Sequence, residues 1–164
     1  MLKSLVVYWR WYLLALLIVV ADQITKQWAA GSFDYGERLN VLPFFDLTLV
    51  HNYGAAWSFL SDAGGWQRWF LTTLSAVVSV VLLVWIARVP KQQRLLLYAL
   101  TLILGGAVGN LIDRALFGYV IDFLSVYSHP HYFPVFNIAD SAITVGAGFM
   151  LLDAFKGDKD AADA

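Results

Sequence analysis

No cysteine occurs in the 164 residues. This excludes disulfides, thiol catalysis, cysteine-ligated metal and any lipid carried on a cysteine of the chain itself. Charge is scarce as well: Asp, Glu, Lys and Arg make up 14% of the chain, against about 25% in an ordinary soluble domain. A net charge of −1 leaves no basic field to attract nucleic acid. Histidine is limited to His51, His129 and His131; the last two are not spaced as a helical ligand pair, so no metal site and no cofactor are expected. Serine has no G-x-S-x-G setting that would make it a nucleophile. No internal repeat is visible.

What remains is 60% hydrophobic and falls into apolar runs near the roughly 20 residues that cross a bilayer as a helix. The runs cover residues 11–28, 69–87, 95–112 and 136–152. The first resembles a signal peptide in having Lys3 and Arg10 before it and Ala29, Ala30 and Gly31 after it. Asp22, Lys26 and the bulky Trp28 interrupt that pattern, and a retained span is expected. Lys3, Arg10, Arg88, Lys91, Arg94, Lys156 and Lys159 all fall on one side of a four-span chain, which predicts that this side, with both termini, is cytoplasmic. Loops 29–68 and 113–135 then lie outside. The alternation around Phe45, Leu47 and Leu49 and the run from Tyr119 to Val126 read as strands of a small extracytoplasmic β element lying on the membrane. The expected fold is therefore an all-α membrane protein of four transmembrane helices with a small β element. Residues 1–164 form one domain, with a tail from about residue 156 that is polar enough to be disordered.

Polar residues in such a chain are few and carry information. Asp22 and Lys26 share a helix face and read either as a neutralising pair or as the brace of a polar site. Gly105 and Gly109 form a small-xxx-small pair suited to close helix packing. Asn110, Asp113 and Arg114 follow at the outer end of the third span, as a solvated, self-paired terminus or, for Asn110 and Arg114, as a hydrogen-bonding brace. Asp122 sits among apolar residues in G-Y-V-I-D-F-L, where an aspartate must be paired or dipped into the interface. Asp140, three residues after Asn137, fits a helix-capping pattern. The spans place Asp122 and Asp140 at the same membrane face. A pair of converging carboxyls shares a proton, and its ionised member can deprotonate water while the other polarises a peptide carbonyl. A proton-coupled transporter subunit is the alternative, but its acids belong near the midplane, often with inverted repeats.

The segments D-Q-I-T-K (22–26), N-Y-G-A-A-W (52–57), G-N-L-I-D-R (109–114), G-Y-V-I-D-F (118–123) and F-N-I-A-D-S (136–141) resemble, in order, the motifs of the lipoprotein signal peptidase (signal peptidase II) family. Trp57 departs from a frequent phenylalanine, aromatic for aromatic. The resemblance implies an aspartic endopeptidase of the bacterial cytoplasmic membrane, with its active site at the outer face. It would cut diacylglyceryl-modified prolipoproteins just before the lipidated cysteine and be inhibited by globomycin-type cyclic peptides. It also implies that Asp122 and Asp140 are catalytic, that Asn52, Asn110, Arg114 and Asn137 line or brace the pocket, and that Asp22 and Lys26 form the polar pair of the first span. Gly54, Ala55 and Ala56 would let the substrate backbone approach closely.

Overall fold

The computed structural model describes residues 2–54 and 64–162. Chain order is α1 (Leu2–Ser32), β1 (Arg38–Leu42), β2 (Phe45–Asn52), α2 (Trp66–Ile86), α3 (Arg94–Leu116), β3 (Val120–Ser128), β4 (His131–Tyr132) and α4 (Ile138–Ala162). Among the described residues, four helices are long and apolar enough to cross a membrane. Even α2, with 21 residues, rises about 32 Å, enough for the roughly 30 Å hydrocarbon core.

Helix α3 is the hub. The other three helices pack on it, and it alone is buried around much of its circumference, with Leu97, Ala99, Leu100 and Thr101 fully enclosed. Tyr8, Ala15, Leu82, Ile86, Leu97, Leu100 and Leu104 form the apolar core. At one end of it the Tyr8 hydroxyl donates to Val89 O at 2.6 Å, tying α1 to the α2–α3 turn. Lipid is as apolar as leucine, so helices in a bilayer gain little by hiding apolar surface and depend on close packing. The glycines of α3 supply it. A methyl group at Gly105 would meet Ile18 Cβ of α1 at 2.8 Å, and one at Gly109 would meet Asp22 Oδ2 at 2.5 Å, so the expected glycine pair does seat α1. Gly106, which the spacing did not single out, seats α4, because a methyl there would run into Ala139 O and Ile143 Cγ1.

The strands form one antiparallel sheet in the order β1-β2-β3-β4. Strands were expected at the positions of β2 and β3. The β1 edge was not, and its side chains are all exposed, which leaves it no burial pattern. In β2 the polar members of the alternation are buried: Asp46 accepts from Asn40 Nδ2 at 2.8 Å and from the Tyr127 hydroxyl at 3.3 Å, and Thr48 Oγ1 donates to Glu37 O at 2.6 Å. Leu39, Val41, Leu42 and Phe44 are left at the surface. The fourth helix starts at Ile138, two positions later than the apolar run, because Phe136 is still bridged to Leu124 of β3. Its backbone is helical to Ala162.

Seating at Gly106 leads to a measurable outcome. Gly106→Ala overpacks the α3–α4 contact and lowers stability by about 1–3 kcal/mol. Gly148→Ala, where nothing lies within 4 Å, leaves it unchanged or raises it. Thermal unfolding in detergent distinguishes the two; equal Tm values would show that α4 is not seated through Gly106.

Candidate active site

The site is built on a buried ion cluster where the C-terminal ends of α1 and α3 meet the start of α4. Asp22 and Lys26, one turn apart on α1, are both 0% exposed, as is Asp113 near the end of α3. An isolated ammonium in such a place is prohibitively costly and survives only if every donor is matched. Lys26 Nζ meets Asp22 Oδ2 at 2.8 Å, Asp113 Oδ2 at 3.0 Å and Asn110 Oδ1 at 2.9 Å, which uses all its donor hydrogens. Gln23 Nε2 donates to Asp113 Oδ1 at 2.8 Å. The carboxylates also reach outward from the cluster. Asp22 Oδ1 accepts the Ala139 N–H at 2.9 Å, satisfying an otherwise orphaned amide in the first turn of α4. Asp113 Oδ2 accepts the Ile121 N–H at 3.0 Å, which fixes the start of β3 one residue before Asp122.

Above the cluster lies a layer of asparagines whose amides have no freedom to flip. Asn137 is the N-cap of α4: its Oδ1 accepts the Asp140 N–H at 2.9 Å. Its Nδ2 is thereby turned toward β3 and donates to Asp122 Oδ1 at 2.6 Å. Asn110 Oδ1, already an acceptor for Lys26, leaves Nδ2 to donate to Asp140 Oδ1 at 2.8 Å. Asn52, at the end of β2, donates to Asp122 Oδ2 at 3.1 Å and accepts the Gly54 N–H at 3.0 Å. Both aspartates are thus held by amide donors, on different elements, through a single connected network.

Asp122 is 1% exposed. Burial, reinforced by the negative charge of Asp140, pushes its carboxyl up to about 7, against the opposing pull of the Asn52 and Asn137 bonds. Both carboxyls face a cavity of about 1020 Å³ that runs between α2 and α4 over α3; Leu71, Leu74, Val78, Ile103, Ile143 and Val145 make its apolar walls. Arg114 enters the same cavity and donates from Nη2 to Gly54 O at 3.1 Å. Its outer rim includes Tyr35 and His51, and His51 stacks on Tyr119 with ring centroids 4.0 Å apart.

Asp22, Lys26, Asn52, Gly54, Asn110, Arg114, Asp122, Asn137 and Asp140 all reach this network. Asn52, Asn110, Arg114, Asp122 and Asp140 line the cavity, while Asp22, Lys26 and Asn137 stand behind it. Gly54 is held by Asn52 and Arg114; Ala55, Ala56 and Trp57 of the same motif lie outside the described residues. Asn137 both caps α4 and bonds Asp122, and the Asp22–Lys26 pair neutralises itself while Asp22 also holds the Ala139 amide. Asp113, rather than Arg114 or Asn110, bonds the amide at the start of β3. Asp113 and Gln23 were not singled out as members of the network. The unmatched donors of Lys26 were the signal for Asp113, since Asp22 alone leaves a buried ammonium incompletely satisfied. His129 and His131 lie in the β3–β4 hairpin. Among the described residues, no group of His, Asp and Glu is arranged to hold a metal ion.

Comparison with known proteins agrees in sequence and in fold. The family model described as signal peptidase (SPase) II matches residues 14–156. A lipoprotein signal peptidase of Shewanella loihica is 55% identical over 89% of this chain and 86% of its own length. One of Acinetobacter baumannii is 54% identical over 88% and 82%. A solved bacterial membrane enzyme superposes with a TM-score of 0.83 at 31% identity, covering 92% of this chain and 90% of the other. Another reaches 0.78 at 32% identity, covering 90% and 93%. Four apolar helices, a small antiparallel sheet and a polar network joining them accompany the matched motifs along nearly the whole chain, and the protein is a multi-pass membrane peptidase belonging to the signal peptidase II family.

Proposed function

We propose that the protein is an aspartic endopeptidase that removes the signal peptide of diacylglyceryl-modified prolipoproteins by hydrolysing the bond just before the lipidated cysteine, with Asp122 and Asp140 as the catalytic pair. The observation that carries this reading is Asn137: one side-chain amide caps the helix bearing Asp140 and grips Asp122, so that two carboxyls from distant elements face one cavity.

The pair holds one proton near neutral pH, and the raised value of Asp122 supports that residue as the protonated member. Asp140 takes a proton from water as the oxygen attacks the scissile carbonyl carbon, and Asp122 gives its proton to the carbonyl oxygen. When the tetrahedral intermediate collapses, the C–N bond breaks, the amine leaves with the proton held by Asp140, and Asp122 recovers its own from the hydroxyl. The apolar walls between α2 and α4 suit a substrate that stays anchored in lipid while its cleavage site reaches the aspartates, and globomycin-type inhibitors would occupy the same cavity. Basic residues at the far ends of the helices put both termini in the cytoplasm and the pair at the outer face of a bacterial cytoplasmic membrane. Exposed Leu39, Val41 and Phe44 then rest the sheet on the bilayer. The direct test is to incubate the purified protein with lipidated and unlipidated prolipoprotein; cleavage of the lipidated form alone is expected, and indifference to the lipid overturns the substrate assignment.

Substituting either aspartate separates chemistry from folding. Asp122→Asn and Asp140→Asn each lower cleavage by about 10²–10⁴-fold while leaving a cooperative unfolding transition. Near-normal turnover by either folded variant would sink the aspartic mechanism.

The shared proton sets a pH dependence. The folded-state value of Asp122 lies above its ordinary 3.8, at about 7, so the folded form binds a proton more tightly than the unfolded chain. Stability is therefore greatest below the ordinary value and falls as pH rises through about 7. The rate falls over the upper part of that window as the pair loses its proton. Tm measured against pH should decline in the wild type and flatten in Asp122→Asn; equal slopes would contradict the assignment of the proton.

Arg114 tests the brace. Lysine keeps the charge but loses the planar fork that reaches Gly54 O. Loss of a charge-assisted bond costs about 1.5–3 kcal/mol, so Arg114→Lys should cleave roughly ten-fold or more slowly. Wild-type rate with wild-type Tm would show that the fork is dispensable.

A further inference from the structure

Arg68 lies outside every sequence motif discussed above and does not line the cavity, yet its placement calls for an explanation. It is in the first turn of α2, where the helix dipole disfavours a cation. Its guanidinium is directed away from its own helix and across to the end of α3. There Nε donates to Arg114 O at 3.2 Å and Nη2 to Ala115 O at 2.9 Å. Those carbonyls belong to the last turn of α3, where a cation is favoured; Arg114 O also accepts the Gly118 N–H at 3.1 Å. The next turn of chain is shaped to admit the side chain: Gly118, with φ of 85°, lies so close that a methyl group on it would sit 3.1 Å from Arg68 Cζ. Trp69 covers the guanidinium with its ring centroid 5.1 Å away.

We infer that Arg68 is a positioning residue for the cleavage reaction, acting through Arg114. One arginine grips the backbone of the other, whose side chain in turn grips Gly54 O. The departure of the chain from β2 and its return at the start of α2 are thereby both referred to a single helix end. The same contact sets how far the outer end of α2, one wall of the cavity, stands from α3. The inference rests on the bracing role proposed for Arg114. It goes beyond it by assigning that role a support on a separate helix.

The experiment is a double-mutant cycle on lipidated prolipoprotein cleavage with the purified full chain: wild type, Arg68→Gln, Arg114→Lys and the double variant. Arg68→Gln is expected to lower kcat/KM roughly ten-fold, from the loss of charge-assisted bonds. Arg68→Lys, which retains charge but not the fork, should fall in between, and serves as the test if the glutamine variant does not fold. In the Arg114→Lys background the further loss from Arg68→Gln should shrink to within about two-fold, because residues in one network are not additive. Multiplicative losses would overturn the inference and leave Arg68 an independent helix cap. A wild-type rate for Arg68→Gln would overturn it as well. If Arg114→Lys alone cleaves at the wild-type rate, the bracing role fails first, and the Arg68 inference falls with it by a separately recognisable result.

Discussion

A single buried ammonium organises this molecule. Lys26 has no exposure to solvent, and its partners come from α1 itself and from two positions on α3. Removing one partner of such a buried pair typically costs about 3–5 kcal/mol, which makes the cluster a strict geometric condition on how α1 and α3 meet. The carboxylates that satisfy the lysine then have oxygens left over, and these organise the next layer. Asp22 supplies an acceptor to the first turn of α4, and Asp113 supplies one to the amide that precedes Asp122. Charge neutralisation and positioning of the site are therefore done by the same atoms.

Direction passes upward from that cluster through amides. An asparagine side chain is ambiguous in isolation, because its oxygen and nitrogen occupy nearly the same volume. Here each ambiguity is removed from below: Lys26 requires the Asn110 oxygen, and the α4 backbone requires the Asn137 oxygen. What faces the cavity is then necessarily donor hydrogen. Donors directed at carboxyls favour their ionised forms, whereas burial favours the protonated form. For Asp122 burial prevails, and its value rises to about 7.

Much of this was legible in the sequence because a bilayer simplifies the text. Long apolar runs stand out, and any charge inside them needs a partner, so Asp22, Lys26, Asp122 and Asp140 were conspicuous before any coordinates. The spans were placed to within a few residues, and their errors have local causes, such as the bridge from Phe136 to Leu124 that delays α4. What stayed hidden was of another kind. Strand β1 buries nothing and so carries no periodicity. Gly106 was masked by the regular spacing of Gly105 and Gly109, although the adjacent glycines serve different neighbours. Asp113 was obscured by Arg114 beside it, which looked like its natural partner; the true partner, Lys26, is on another helix. Pairings across helices follow from packing, and packing is not written as a local pattern.

The bond from Asp22 to the Ala139 amide joins positions separated by 117 in sequence, from the first helix to the last. Translation delivers these segments in that order, so a growing chain that has inserted α1, α2 and α3 still lacks Asn137 and Asp140 and holds Asp22 with one oxygen unclaimed. The final helix supplies the missing cap and the second carboxyl in one step, as it docks against Gly106 and Gly109. A chain without the final helix consequently lacks Asn137 and Asp140, and with them a paired set of carboxyls. Completion of synthesis is built into the geometry as the condition for assembling the site.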